Sequence, residues 1–402
     1  MPPQTRLHLE PQIIALVREL TAFLAERGIT AYATGGFVRD ALIGHPARDI
    51  DLSIDADPQE TGRALADAFA GNFVVLDEER GVVRIILPAR GAHVDLQRLR
   101  GAIEEDMLLR DYTIDAMATL LSEVGRDEIN LIDPLGGRKD AQSRKLRLVG
   151  ETALLDDPLR LLRGMRLPTQ LNLLIEPNTA ALIRRHAPLI AQAAPERQRD
   201  ELVLIFATGR AAAGLRLMDE LGLLSATLPE LDVTRGVEQP KEHHFDVFQH
   251  GVSAVAALDT ILSPVRPAED FDGRVWEELW SQLAWWEGAR DYLSEEIGPD
   301  LPRTALLKLC ALLHDIGKPG TKSFEPSGRM RFFGHADAGA DMAVRILRRL
   351  RFPNRAVDMV ASMIRAHLRP LQMAQTGAPS DRAIYRFFRD TGGAGIDTLI
   401  LS

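Results

Sequence analysis

The stretch Thr34 to Ser53, TGGFVRDALIGHPARDIDLS, limits the fold more than any other part of the chain. Acidic and apolar residues alternate over Asp49-Ile50-Asp51-Leu52, and successive side chains of a β-strand point to opposite faces. The spacing predicts a strand with Ile50 and Leu52 on one face and Asp49 and Asp51 together on the other. Two carboxylates converging on one spot repel each other unless a cation lies between them, and a hard divalent ion prefers oxygen ligands. Upstream, Gly35-Gly36 permits a turn that brings backbone N–H groups close to an anion, and Phe37 to Ile43 reads as the first turns of a helix whose N-terminus favours phosphate. Arg39, in an Arg39-Asp40 pair, adds a guanidinium for phosphate or for a carboxylate. Together these residues predict a site that handles a triphosphate with metal ions. A surface strand ending in a solvated Asp-x-Asp is the plainer alternative for the acidic pair alone.

The rest of the chain bounds this reading. Its 402 residues, 46% hydrophobic and 26% charged, leave room for two to four globular domains. One cysteine, Cys310, excludes an internal disulfide framework and fits a reducing cytoplasm. No apolar run reaches the roughly 18 residues of a membrane span, so the expectation is a soluble, cytoplasmic protein. A net charge of -9 argues weakly against long nonspecific nucleic-acid contacts, although it hides local patches.

GGFVRD followed by RDIDLS resembles the signature of the class II tRNA nucleotidyltransferases (CCA-adding enzymes) and the bacterial poly(A) polymerases, within the polymerase-β-like nucleotidyltransferase superfamily. The resemblance implies an α+β head with a mixed sheet, two-metal nucleotidyl transfer with Mg²⁺, and ATP, together with CTP in some members, as nucleotide donor. A helical neck and body would follow. On this basis the head is assigned to residues 1–142 and the neck and body to 143–228.

Periodicity fills in the head. Pro11 to Arg27 has helical spacing and stops at Gly28; Pro58 to Phe69 is helical; Phe73–Leu76, Val82–Leu87 and His93–Gln97 read as strands. Asp95, on the last of these, is a candidate third carboxylate. Glu104 to Thr119, EEDMLLRDYTIDAMAT, resembles the family motif RRDFTINA, with Leu109, Tyr112 and Asp115 as departures. That resemblance implies that Arg110 and Asp111 position the nucleotide sugar and phosphates. RKDAQSRKLR, residues 138–147, together with Arg160, Arg163 and Arg166 makes a basic stretch on an acidic average, placed where RNA phosphates would run.

DDPLRLLRGMR, from Asp156, resembles the family's EDxxR motif, which selects the incoming base. On a helix Asp157 and Arg160 share a face, and their fixed acceptors and donors match the edge of a base; Arg163 joins them as a nucleotide contact. An ordinary i, i+3 ion pair is the plain alternative. Pro168 predicts a kink or an end near Leu167. Ala180 to Leu224 reads as helical with breaks at Pro188 and Pro195, and Pro229 to Pro240 as a linker.

A second constellation occupies 241–402. His243-His244, His250, His314-Asp315, His335 and His367 lie mostly beside apolar helical sequence, and facing helices commonly build metal sites from such side chains. Scattered core or surface histidines are the alternative for any one of them. His314-Asp315 with Ile316-Gly317-Lys318 resembles the HD phosphohydrolase superfamily, which implies that His250, His314 and Asp315 hold a divalent metal of unspecified identity, with His335 and His367 as candidates for a second. Family members carry one further aspartate on a late helix. Asp397 is the nearest candidate, but it precedes the apolar run Thr398–Leu401 that should come before that ligand, so the domain reads as truncated or as lacking it. Pro264 to Pro302, with Trp276, Trp280, Trp285 and Trp286, reads as an amphipathic helix.

The expected activity is addition of nucleotides to an RNA 3′ end: Asp49, Asp51 and Asp95 as catalytic carboxylates, Gly35, Gly36, Arg39 and Asp40 at the triphosphate, Asp157 and Arg160 at the base. A tRNA ending in CCA or part of it, and a poly(A) tail, are alternative products. A metal-dependent phosphohydrolase with an accessory head, and a non-catalytic RNA-binding protein, are rivals from other classes.

Overall fold

The alternation at Asp49 becomes the middle of a six-stranded mixed sheet in the computed structural model, which describes residues 5–78, 80–239, 245–263, 274, 276–278, 280–281, 286–375 and 377–402. The strands are β1 (Ala31–Thr34), β2 (Asp49–Ile54), β3 (Asn72–Asp77), β4 (Val82–Leu87), β5 (Ala92–Arg98) and β6 (Ala118–Leu120), in the order β3-β4-β5-β2-β1-β6. β2 and β5 run parallel, with Asp49 opposite His93 and Asp51 opposite Asp95. Their other neighbours, β1 and β4, pair antiparallel.

One face of this sheet is sealed. Ile50, Leu52, Ile54, Val94 and Leu96 are fully buried, in one core with Ile13, Leu16, Val17 and Leu20 of α1 (Pro11–Ala25) and Leu65 of the helix Pro58–Ala68. Burying each such side chain contributes about 1.5–3 kcal/mol. A one-residue slip of β2 would exchange its Ile and Leu side chains for Asp49, Asp51 and Ser53, so the core fixes the register and keeps the carboxylates on the opposite face.

Between β1 and β2 the chain forms α2 (Gly35–Ile43). Gly35 has φ +62°, and a Cβ placed there would come 3.1 Å from Asp51 Oδ2. At Gly36 a Cβ would lie 3.3 Å from that oxygen and 3.2 Å from Arg39 Nη2. The double glycine is thus required twice, by the left-handed turn and by the carboxylate pressed against it.

The chain divides into two compact units, Met1–Asp156 with Leu173–Ala180 and Asp157–Asn172 with Ala181–Ser402. The second is helical apart from two short hairpins among its described residues. The helix Arg160–Leu171 runs through Pro168 and ends at Asn172, φ +54°, so the expected kink or end near Leu167 does not occur as an end. Proline removes one N–H from the ladder, but Leu167, Pro168 and Thr169 are buried, the helix continues three residues further, and the Asn172 N–H reaches the Pro168 carbonyl. Breaks expected at Pro188 and Pro195 are present, where Ala187–Gln192 tightens to a 3₁₀ turn and a new helix starts at Pro195. Residues 229–234, expected as linker, form a 3₁₀ helix with Leu231 and Thr234 buried. Much of Pro264–Pro302, including Trp285, lies outside the described residues. Its described end is not one helix but a short helix, Ala289–Ser294, and a hairpin, Glu296–Gly298 with Leu301–Pro302.

Candidate active site and metal centre

The open face of β2 carries Asp49, Asp51 and Ser53 in a gradient from exposed to buried. Asp49 lies beside the His93 imidazole at 3.2 Å. Asp51 Oδ2 accepts a hydrogen bond from the Phe37 N–H at 3.2 Å, which places this carboxylate at the positive N-terminal end of α2. Asp95 lies next to Asp51 across the parallel pair, as a shared metal site needs. Its carboxylate is held by Arg84 in a two-pronged ion pair, Nε–Oδ1 and Nη2–Oδ2 both 2.8 Å. That bond, opposed by burial, keeps the Arg84 pKa above its ordinary value. Among the described residues, Asp49, Asp51 and Asp95 do not fall into a cluster of converging ligand atoms. Each instead rests on a protein partner.

Arg39, assigned from sequence to the triphosphate, is buried and committed to carboxylates: Nε donates to Asp40 Oδ1 at 2.8 Å, Nη2 to Asp40 Oδ2 at 3.0 Å, and Nη1 bonds Asp115. Asp115 stands where the family motif has asparagine, which turns that contact into an ion pair. Arg110 reaches Ser53 Oγ at 3.0 Å, Thr34 Oγ1 at 3.4 Å and the fully buried Asp106 at 2.9 Å. It therefore links the ends of β1 and β2 to the helix Ile103–Leu108. Sequence reading missed Asp106; an acid four residues before an arginine on a helix was the available signal. Asp111 is buried and its Oδ1 accepts from the Tyr112 N–H at 2.8 Å.

Asp157, Arg160 and Arg163 belong to the second unit. Asp157 does not share a helix with Arg160, because Pro158 excludes helical geometry at the residue before it. The helix Thr152–Asp156 ends there and the next starts at Arg160. Asp157 is buried; its Oδ1 accepts from the Leu159 N–H at 3.2 Å and its Oδ2 from Arg197 Nη2 at 2.9 Å. One partner of Asp157 is Arg197, forty residues on, which sequence spacing alone does not reveal.

The histidine constellation comes together as a cluster. His250 sits in the helix Val247–Ile261, His314 ends Arg303–Leu313, His335 opens His335–Arg349, and His367 ends Asn354–Ala366. Asp315 lies at their centre: Oδ2 is 3.1 Å from His314 Nε2 and 3.4 Å from His250 Nε2, and Oδ1 is 3.4 Å from His335 Nε2 and 3.8 Å from His367 Nε2. Three of the rings are fixed the same way. Nδ1 of His314, His335 and His367 bonds the carbonyl three residues earlier, of Ala311, Phe332 and Ile364, at 2.6–2.7 Å. A carbonyl can only accept, so each Nδ1 carries a proton and each Nε2 is turned inward. Gly317 allows the close approach, since a Cβ there would come 2.3 Å from the His335 carbonyl oxygen.

Charge in the cluster is tightly coupled. Burial pushes the Asp315 carboxyl up, but the His314 imidazole and the Lys318 ammonium outweigh it and hold the pKa well below the usual range. Burial and the neighbouring His314 push His367 down to about 4. For His314 burial is outweighed by Asp315, and its pKa rises. Lys318 Nζ lies 2.6 Å from Asp315 Oδ2 and 2.6 Å from Gln239 Oε1. Asp315 Oδ1 and His335 Nε2 are buried and have no hydrogen-bond partner. Orphaned acceptors of this kind, imidazole and carboxylate facing one point, fit a divalent metal. The two sets that satisfy metal-ligand geometry are His250–His314–Asp315 and Asp315–His335–His367.

His243 and His244 lie outside the described residues. Asp397 does not approach the cluster. It is buried in an ion pair with Arg303, Oδ2–Nη1 2.6 Å, and accepts from the Tyr292 hydroxyl at 2.7 Å. The late aspartate of the family pattern is therefore not Asp397.

Residues 31–147 match the poly A polymerase head domain, 172–234 the probable RNA and SrmB-binding site of polymerase A, and 292–390 the HD domain. The A-adding tRNA nucleotidyltransferase of Deinococcus radiodurans is 36% identical over 362 residues, 89% of this chain and 72% of that protein. The chain belongs to the tRNA nucleotidyltransferase and poly(A) polymerase family. Within this family the CC-adding tRNA nucleotidyltransferase of Thermus thermophilus is 34% identical over 365 residues, 89% of this chain and 71% of that protein. Among solved structures, a tRNA-processing enzyme in an apo form matches with TM-score 0.65 and 20% identity, over 99% of this chain and 89% of that one. The Thermotoga maritima CCA-adding enzyme complexed with tRNA matches at 0.60 and 20%, over 98% and 79%. At such identity the structural likeness establishes the fold: a polymerase-β-like head, a helical body and an HD domain. No helix among the described residues is long and apolar enough to cross a membrane.

Proposed function

We propose that this protein adds nucleotides from ATP or CTP to the 3′ end of tRNA, with residues 1–142 as catalytic head, 143–228 as nucleotide- and RNA-binding neck and body, and 241–402 as an HD-type domain. The observation that carries the reading is the placement of Asp49 and Asp51 on the open face of β2, beside Asp95 and at the N-terminus of α2. Their donor set is all oxygen, which suits Mg²⁺. Bound there, Mg²⁺ supplies activation of the terminal 3′-hydroxyl and neutralisation of the leaving pyrophosphate. Asp49 and Asp51 would hold it, and Asp95 would complete the set by giving up Arg84. Backbone N–H groups of the Gly35-Gly36 turn would take the triphosphate. Arg39 and Asp40 keep that turn in place, while Arg110 and Asp111 order the sugar side. Asp157 and Arg160, with Arg163 nearby in the chain, would choose the base.

Named relatives include both an A-adding and a CC-adding enzyme, so the product is the point to test. Transcripts of one tRNA ending before C74, before C75 and before A76, each incubated with labelled ATP or CTP, would show which step this protein performs. Incorporation on none of them, with activity on unrelated RNA, would instead make it a poly(A) polymerase.

A second reading concerns 241–402. The orphaned Asp315 Oδ1 and His335 Nε2 favour a metal-loaded HD centre that hydrolyses phosphoesters. Metal-dependent phosphatase activity that survives Asp49→Ala and disappears in His314→Ala would establish it as independent of the head; no activity in the wild type would remove it.

A further inference from the structure

Between Asp315 and His335 the chain forms a hairpin, Ser323–Phe324 paired with Met330–Arg331 and closed by a turn with Gly328 at φ +80°. Its base is anchored at the metal cluster. The Phe332 carbonyl fixes the His335 ring, and the Phe332 ring lies 5.6 Å from Lys318 Nζ, which itself touches Asp315. The hairpin exposes Phe324, at 64%, and the turn that joins it to the helix His335–Arg349 exposes Phe333, at 74%, next to Phe332. An exposed phenylalanine forgoes the stabilisation that burial would bring, so two in one short segment need a reason.

Each ring carries a cation: Lys322 Nζ lies 5.9 Å from the Phe324 centroid and Arg331 Cζ 5.9 Å from that of Phe333. Across 322–333 Lys322, Arg329 and Arg331 face one acid, Glu325, whose carboxylate is already paired with Arg331 at 2.7 Å. The hairpin is basic on a chain of net charge -9. Aromatic faces with interleaved cations are what a single-stranded nucleic acid requires, since every base has a face to stack and every linkage a phosphate. A protein partner would also cover the rings, but it would have no need of a cation beside each one.

We propose that the hairpin and the turn after it form a single-stranded RNA-binding element beside the HD cluster, in which Phe324 and Phe333 stack on bases and Lys322 and Arg329 meet phosphates. It rests on the reading that this protein acts on RNA, but not on hydrolysis at the HD centre or on catalysis by the head. The test uses the full chain and a single-stranded RNA 12-mer containing 5-iodouridine, which photocrosslinks to stacked aromatic side chains. Peptide mapping is expected to place crosslinks at Phe324 or Phe333. Phe324→Ala and Phe333→Ala should each weaken oligonucleotide binding about fivefold to a hundredfold, and Phe333→Tyr should restore most of it. Nucleotide incorporation by the same variants on tRNA serves as the control for folding; failure of incorporation in the wild type would count against the function proposed above, while the crosslink map reads the hairpin alone. Crosslinks only outside 322–333, with unchanged affinity in the double alanine variant, would overturn the proposal. So would a concentration-dependent dimer in sedimentation velocity that the double variant abolishes while RNA affinity stays the same, for the rings would then be a protein interface.

Discussion

The carboxylate face of the head and the histidine cluster of the second unit are both built to take cations, yet they are prepared in opposite ways. Asp49 is exposed, Asp51 caps a helix and Asp95 is held by Arg84, so each head carboxylate has a protein partner to leave. In the cluster the rings are locked through Nδ1, and two ligand atoms are buried with nothing to bond. In the function proposed, the head would take its metal with the nucleotide and release it with pyrophosphate. The cluster is arranged for a resident ion, its geometry set before the ion binds.

Several changes would break or sharpen this contrast. Asp51→Ala should have the largest effect, lowering nucleotide incorporation by about a hundredfold or more, while metal bound per chain, read by elemental analysis, stays unchanged. His335→Ala should do the reverse: divalent metal affinity, measured by titration calorimetry, should fall by at least the roughly 10–100-fold typical of losing an outer-shell partner. In the wild type, saturating metal at about 100 times its Kd adds about 2.7 kcal/mol of stability, and at the same metal concentration that gain should fall to about 0.4–1.4 kcal/mol or less in the variant, with a matching smaller rise in Tm. Metal binding unaffected by His335→Ala would place the ion in the His250–His314–Asp315 set instead, and no metal binding by the wild type would show that the cluster is only a packed core.

Asp106→Ala comes next. It removes a fully buried carboxylate that holds Arg110 and, at 3.2 Å, Arg100. Breaking a buried pair costs about 3–5 kcal/mol, and the half-exposed Arg100 can return to water, so about 3 kcal/mol is expected in denaturant unfolding, with slower incorporation as Arg110 is released. The smallest change is Arg197→Ala. Its guanidinium is 44% exposed, so solvent screening holds the stability loss to about 0.2–1 kcal/mol. The sharper readout is the ratio of ATP to CTP incorporated, which should shift once Asp157 loses this partner.

How far the sequence reached follows the range of the forces involved. Strand alternation at Asp49–Ile54 and the helix after Gly35-Gly36 are local patterns, and the chain forms both there. His314-Asp315 stood out because the two candidate ligands are adjacent, and His250, His335 and His367 join them in space. Pairings set by tertiary register were not legible. Arg84 meets Asp95 because β4 and β5 align them directly, and Arg197 meets Asp157 across packed helices. Pro158 could have been read: the residue before a proline is pushed out of the helical region, so Asp157 precedes the helix that starts at Arg160. Pro168 misled because burial of Leu167, Pro168 and Thr169 carries the helix past the hydrogen bond that proline removes. The Nδ1 anchors have a weak signal in hindsight, as His314 and His367 each close an apolar helix and turn back onto its last carbonyls.

The most direct test of the division between the two sites is labelled-nucleotide incorporation onto a tRNA lacking its 3′ end, run side by side for the wild type, Asp49→Ala and His314→Ala. The account predicts that Asp49→Ala loses incorporation while keeping its bound metal, and that His314→Ala keeps incorporation while losing metal. Full incorporation by Asp49→Ala would contradict the assignment of the head as the site of nucleotide transfer.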